Sequence, residues 1–159
     1  MNKNILITTV LMMSISLFAC TKKSSTTTPV TPTNTACNGM NLCFDLDGVN
    51  ESHDAKMLLL NGRQRVYWEE GTGNTYKNIE LDVYGSTTGT YNISPNPQTG
   101  DAAFQYYITN GNKNIQGQSG TVEVTAIDGT MMSGKFTITA SDNGTTYQIA
   151  NGNFVNVPL

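Results

Sequence analysis

Apolar and polar residues alternate one by one along several segments of this chain. The clearest of these segments are 42–47, 79–84, 104–109, 122–127 and 132–140. Successive side chains of a β-strand point to opposite faces, so this pattern predicts strands that bury one face. In the fourth segment, the alternation assigns Ala126 to the buried face and Ile127 to the exposed face.

Asn-Gly and Asp-Gly pairs separate these segments and predict tight turns. They occur at 47–48, 61–62, 110–111, 128–129, 143–144 and 151–152. Such pairs suit type I′ hairpin turns, and a spacing of about ten residues is typical of sandwiches and small barrels. The chain is therefore predicted to be all-β, an antiparallel β-sandwich or small barrel. Residues 52–60 fit either a short helix capped by Ser52 or a strand over 56–61, and the strand is favoured.

The start of the chain has the organisation of an export signal. Lys3 precedes an apolar run over 5–18, and these fourteen residues would span about 21 Å as a helix, less than the roughly 30 Å of a bilayer core. This is the pattern of a signal peptide. Its end, Leu17-Phe18-Ala19-Cys20, resembles the lipobox of bacterial lipoproteins. The resemblance implies cleavage before Cys20, lipid on its sulfur, and acylation (palmitate) of the new amino terminus, which together give stable anchoring.

Three parts follow from this organisation: a signal peptide over 1–19, a lipidated cysteine with a flexible linker over 20–36, and a single β domain over 37–159. The linker is rich in Thr, Ser and Pro, so it has little to bury and is expected to stay extended. It carries Lys22 and Lys23 and no acid. In similar Bacteroidota lipoproteins, surface display is associated with acids after the lipidated cysteine. The resemblance therefore favours the periplasmic face of the outer membrane.

Charge and cysteine content narrow the partners of the domain. All 12 acids lie within 37–159 together with six of the nine basic residues, which gives 6 − 12 = −6. This balance disfavours nucleic acid and anionic lipid as partners. Cys37 and Cys43 form an even pair that predicts a disulfide in an exported domain, which would stabilise it by about 2.4 kcal/mol in the chain-entropy model. Two cysteines and one histidine are a poor metal-ligand set, and no cofactor is expected.

Several motifs resemble those of a known family. They are the segments 44–48 (FDLDG), 89–93 (GTYNI), 120–125 (GTVEVT), 133–140 (SGKFTITA) and 149–159 (IANGNFVNVPL). In this order they look like a family of small Bacteroidota lipoproteins with a domain of unknown function, and the similarity spans most of residues 42–159. The resemblance implies an all-β fold and an envelope location. It supplies no catalytic residues.

Glu80 and Asp82 are a candidate site. Two residues apart on a predicted strand, they share its exposed face, with Cα atoms about 7 Å apart. Glycosidases use carboxyl pairs at such separations, but a solvated face lacks the contrasting environments that this catalysis needs. The pair is therefore interpreted as a solvated surface pair, with contact to a ligand or cation as the alternative.

Tyr67, Tyr84 and Tyr107 are the aromatic residues predicted to lie outside the core. Exposed aromatic rings can stack on sugar rings, but Tyr is also a common half-buried strand residue. The sequence leaves open whether the three rings converge.

Two further clusters lie between residues 45 and 54. Oxygen-bearing side chains suit calcium and occur here at Asp45, Asp47, Asn50 and Asp54. The glycine falls fourth in this run, whereas an EF-hand loop has it sixth, so an acidic turn is favoured. Ser52-His53-Asp54 has the residue types of a hydrolase triad, but neighbours on an extended chain point to opposite faces.

The sequence as a whole predicts a non-enzymatic, lipid-anchored cell-envelope protein with a binding or structural role. A glycan-binding accessory module is the alternative, and a small hydrolase is the third hypothesis. Convergence of the exposed tyrosines on one face would favour the glycan module, whereas a buried carboxylate pair in a cleft would favour the hydrolase. The expected partners are the membrane, through the lipid on Cys20, and a glycan or another envelope protein.

Overall fold

The computed structural model describes residues 37–159, so the predicted leader, the lipidation site Cys20 and the linker lie outside it. The described part is nearly all β, as predicted. Its ten strands are β1 (Leu42–Leu46), β2 (Val49–His53), β3 (Lys56–Leu60), β4 (Arg63–Glu70), β5 (Lys77–Val83), β6 (Gly89–Ile93), β7 (Asp101–Ile108), β8 (Lys113–Ile127), β9 (Met131–Asp142) and β10 (Thr145–Pro158). Among these residues, no helix is long and apolar enough to cross a membrane.

The ten strands form one sheet in the order β2-β1-β10-β9-β8-β6-β7-β5-β4-β3. All pairs are antiparallel except β6 and β7, which run parallel, so the sheet is mixed rather than purely antiparallel. The sheet is not closed, and of the two predicted architectures the sandwich-like one is observed. Strand β8 is long enough to pair with two neighbours: residues 113–116 pair with β7 and residues 121–124 with β6.

One apolar core lies on the inner face of this sheet. Strands β1 and β3 to β10 all contribute buried apolar side chains to the same cluster. Phe44 of β1 lies at its centre, fully buried. Its ring lies 6.2 Å from those of Phe104 and Tyr106 on β7 and 5.9 Å from that of Phe136 on β9. Burial raises the pKa of Tyr106 to about 12.

The edge strands β2 and β3 are joined by the short segment 54–55, and side-chain contacts hold this part of the chain. The side-chain amide of Asn41 makes two hydrogen bonds with the backbone of Ala55, at 2.6 and 2.7 Å. His53 of β2 packs against Trp68 of β4 with ring centroids 3.8 Å apart. These contacts tie the first strands to the rest of the sheet although no backbone ladder joins the two edges.

Local details of the sheet confirm some predictions and correct others. The strand favoured over 56–61 is β3. The Asn-Gly pair at 151–152, expected to be a turn, lies within β10 at a β-bulge. There Asn151 has a φ of 52°, because a bulge can require the same left-handed backbone as a turn. A second bulge, between Val124 and Ala126, reverses the alternation, so Ala126 is exposed and Ile127 packs against the core.

The predicted disulfide between Cys37 and Cys43 is present. It joins the segment before β1 to β1 itself, and both cysteines are buried.

Candidate functional site

The candidate site lies on the outer face of β4, β5, β7 and β8. The register places Tyr67, Glu80, Gln105 and Gln116 side by side across these four strands. Arg65 and Asp82 form the next row on β4 and β5. Because side chains alternate between the two faces of a strand, these residues all project away from the apolar core.

An ion-pair cluster occupies the middle of this face. The Arg65 guanidinium donates from Nε and Nη2 to the two carboxylate oxygens of Asp82, at 2.7 and 2.8 Å. Its Nη1 lies 2.6 Å from Oε2 of Glu80. The Arg63 Nη1 lies 3.2 Å from Oδ2 of Asp82. The hydrogen bond with Asp82 is the main cause that raises the pKa of Arg65 above its usual value.

This cluster corrects the prediction that Glu80 and Asp82 lie on a solvated face. Asp82 is 5% exposed and the Glu80 side chain 21% exposed, because the two arginines of β4 pair with them across the ladder and cover them. The sequence reasoning missed Arg63 and Arg65. The signal that could have revealed them is the pattern Arg-x-Arg on one strand and Glu-x-Asp on the next, since cross-strand opposite charges stabilise an antiparallel pair.

A cleft of about 220 Å³ opens beside these charges and is called the central cleft. It lies where β8 leaves β7 to pair with β6, since the β7–β8 ladder ends at the Gln105–Gln116 pair. Ser94 and Pro95, which follow β6, also line it. Its lining is Arg63, Arg65, Glu80, Asp82, Ser94, Pro95, Ala103, Phe104, Gln105, Gln116 and Gly117.

Two shallower depressions flank the central cleft. The Tyr84 depression is lined by Leu59, Leu60, Gly62, Arg63, Gln64, Tyr84, Gly85, Ser86 and Thr99, and measures about 390 Å³. The Tyr107 depression is lined by Tyr107, Asn112, Asn114, Gln116, Ser141, Asp142 and Asn143, and measures about 430 Å³. The structure therefore brings four of the five predicted ligand-binding residues, Tyr84, Tyr107, Glu80 and Asp82, into neighbouring hollows.

The three tyrosines predicted to be outside share this outer face, and each is partly buried by a neighbour. The hydroxyl of Tyr84 accepts a hydrogen bond of 3.0 Å from Arg63. The ring of Tyr107 packs 6.3 Å from that of Tyr76.

Tyr67 lines none of the three hollows. Its hydroxyl donates to Glu69, and its ring lies under the ammonium group of Lys56. Burial, followed by this hydrogen bond, raises the pKa of Tyr67, and the same bond lowers the pKa of Glu69.

Comparison with models of known protein families assigns this chain to one of them. A family model described as a domain of unknown function (DUF6252) matches residues 70–158. The chain belongs to the DUF6252 family. Searches of the curated proteins and of the solved structures found no match. The DUF6252 segment covers β5 to β10 and so contributes Glu80, Asp82, Gln105 and Gln116 to the central cleft, whereas Arg63 and Arg65 come from the strand before it.

The other residues predicted as site residues lie away from the outer face of β4, β5, β7 and β8. Asp45 accepts hydrogen bonds from the amides of Asn151 and Asn50, which lower its pKa. Asp47 accepts from the backbone N–H of Gln148 at 2.7 Å, and Asp54 is exposed. Across residues 37–159, no group of three or more His, Cys, Asp or Glu side chains comes together in a way that could hold a metal ion.

The Ser52-His53-Asp54 run does not assemble a triad. The Ser52 hydroxyl donates to Asn50 on the outer face, whereas His53 is buried against Phe44 and Trp68. Nε2 of His53 lies 3.3 Å from the carboxylate of Glu51 but is not aligned for a hydrogen bond. The proximity of His53 lowers the pKa of Glu51.

Proposed function

We propose that this protein is a lipid-anchored, non-enzymatic protein of the cell envelope that binds a neutral glycan in the central cleft. The observation that supports the proposal is the grouping of an ion-pair cluster and amide side chains in one cleft, with a tyrosine in the depression on each side of it. Specific small-molecule sites combine a concave surface with a few convergent polar groups, and this face has both features.

The chemistry of the cleft suits sugar hydroxyls, which both donate and accept hydrogen bonds. Arg65 holds Glu80 and Asp82 in place as acceptors, while Gln105 and Gln116 each carry an amide that donates and accepts. The charges of the cleft cancel, since Arg63 and Arg65 balance Glu80 and Asp82. A strongly charged ligand therefore meets no net opposite charge, whereas a neutral sugar can exchange its hydrogen bonds with water for hydrogen bonds with the polar groups of the cleft.

Binding should be tested first on a glycan array, with the protein purified from the envelope in detergent, with and without calcium. We expect a reproducible neutral-glycan hit that Gln116→Ala weakens about tenfold, or about 1.4 kcal/mol, as the loss of a hydrogen bond in a site predicts. Gln118→Ala is the matched control, because Gln118 is exposed on the same strand and outside the three hollows. No hit on the array, or equal losses in both variants, would contradict the proposal.

A small hydrolase is a second candidate, because Glu80 and Asp82 form a largely buried carboxylate pair in a cleft. The bonds from one guanidinium to both carboxylates favour binding over catalysis, since glycosidase carboxyls need contrasting environments. Shorter saccharides released from a bound glycan, and lost in Glu80→Gln, would favour the hydrolase instead.

The anchor rests on the segment Leu17-Phe18-Ala19-Cys20 and on its resemblance to a lipobox, with the periplasmic face of the outer membrane as the proposed location. We expect Cys20→Ala to abolish labelling by a radioactive fatty acid and to leave the leader uncleaved, whereas Cys37→Ala keeps both. The measurement is labelling followed by gel electrophoresis of whole cells. Unchanged labelling and maturation in Cys20→Ala would rule out the anchor.

A further inference from the structure

We propose that the central cleft and the two flanking depressions form one groove that binds an extended chain of about four sugar units. This inference rests on the proposed function and adds to it the length and position of the ligand.

Shared residues connect the three hollows. Arg63 lines both the Tyr84 depression and the central cleft. Gln116 lines both the central cleft and the Tyr107 depression. A ligand in the central cleft that contacts these two side chains is therefore already at the entrance of each flanking depression.

The register sets the length of the groove. Tyr107 on β7 pairs with Asn78 on β5, and Tyr84 follows Asn78 by six residues on the same extended segment. Six residues of β-strand span about 20 Å, a length that about four linked pyranose rings cover. The two tyrosines thus lie near opposite ends of a groove that runs nearly along β5 and β7.

The Tyr84 end combines apolar and polar side chains on the outer face. Leu60 pairs with Arg63 across the β3–β4 ladder and is 37% exposed. The Arg63 guanidinium donates to the hydroxyl of Tyr84 and so holds this ring in place. Leu60 and the Tyr84 ring can therefore contact the apolar face of a sugar, while Arg63 is placed to donate a hydrogen bond to its hydroxyls.

The Tyr107 end has a similar composition without the leucines. Asn112, Asn114 and Gln116 supply amides beside the tyrosine ring. Over the whole groove, Arg63 and Arg65 stand against Glu80, Asp82 and Asp142, which gives 2 − 3 = −1. This near-neutral, amide-rich lining selects an uncharged chain rather than an acidic polysaccharide.

The test is a length series of linear oligosaccharides of glucose, mannose and N-acetylglucosamine, from one to six units, measured by calorimetry with the detergent-purified protein. Affinity should rise with each unit up to about four and then level off. Tyr84→Ala and Tyr107→Ala should each weaken hexasaccharide binding about tenfold and change disaccharide binding less than about twofold. Tyr67→Ala, which changes a tyrosine on the same face outside the groove, should alter neither affinity.

The outcomes separate the two proposals. Binding that does not depend on length beyond two units, or equal effects of Tyr84→Ala and Tyr67→Ala, would overturn the extended groove and leave the glycan-binding cleft standing. Absence of binding to every member of the series would overturn the glycan-binding function itself, and the groove with it.

Discussion

Replacing Asp82 with alanine is expected to lower the free energy of unfolding by about 3 kcal/mol. The change removes two hydrogen bonds from the Arg65 guanidinium, whose side chain is 15% exposed. An arginine cannot lose its proton in response, so a charge largely shielded from water keeps only Glu80 as its close partner. Removal of one member of a buried pair costs more than the pair contributes, because the other charge stays buried.

Urea denaturation measures this loss, with an unchanged slope showing that the same surface unfolds. Glu123→Ala is the matched control, because Glu123 lies opposite Lys135 on β8 and β9 with both residues exposed. Exposed pairs contribute about 0–1 kcal/mol. If Asp82→Ala cost no more than Glu123→Ala, the cluster would not be a fixed part of the fold, and its role in holding the carboxylates as acceptors would fail.

The same cluster shows where sequence reasoning ends. Alternation over 79–84 predicted correctly which side of β5 faces the core, since Ile79, Leu81 and Val83 are buried. It predicted incorrectly that the opposite side is solvated. Exposure of that side depends on which strand lies next to β5, and a single strand carries no record of its neighbour. Once the β4–β5 ladder is known, the charges of Arg65 and Asp82 become an obvious pair.

The irregular features of the sheet depend on pairing between strands rather than on local sequence. Asn-Gly at 143–144 makes a turn, whereas Asn-Gly at 151–152 makes a bulge, and Asn143 and Asn151 have almost the same φ, 47° and 52°. The local backbone preference is therefore identical, and the pairing of β10 with β9 on both sides of residue 151 decides the outcome. The parallel contact of β6 with β7 is similarly non-local, as is the splitting of β8 that opens the central cleft.

Candidate ligand residues could be chosen from the sequence in part. Tyr84 and Tyr107 were predicted as exposed aromatics from the alternation of their strands, and both line the proposed groove. Tyr67 follows the same alternation, but it lies outside the groove, where its hydroxyl bonds to Glu69 and its ring lies under Lys56. The alternation along one strand gives no information about such neighbours. Gln116 carries no signal in the sequence, because a glutamine on a strand is ordinary until its surroundings are known.

Phe44→Ala is expected to lower the free energy of unfolding by about 4 kcal/mol, as large-to-small changes of a buried aromatic residue do. Phe44 is fully buried and contacts rings from β7 and β9, strands that β1 does not pair with. The cavity left by its ring would therefore lie between β1 and strands that are not hydrogen-bonded to it. No backbone ladder there compensates for the lost side-chain contacts. Leu59→Ala, which shortens a side chain more than half exposed, should cost under about 1 kcal/mol.

This comparison also tests which part of the chain forms the folding unit. The family match begins at residue 70, whereas Phe44 lies on the first strand and fills the centre of the core. A loss near 4 kcal/mol would mean that β1 belongs to the same cooperative unit as the matched region, and that β4, with Arg63 and Arg65, is held in place by that unit. A loss as small as that of Leu59→Ala would mean that residues 70–158 have a core of their own, and the proposed binding face would then depend on a strand outside that core.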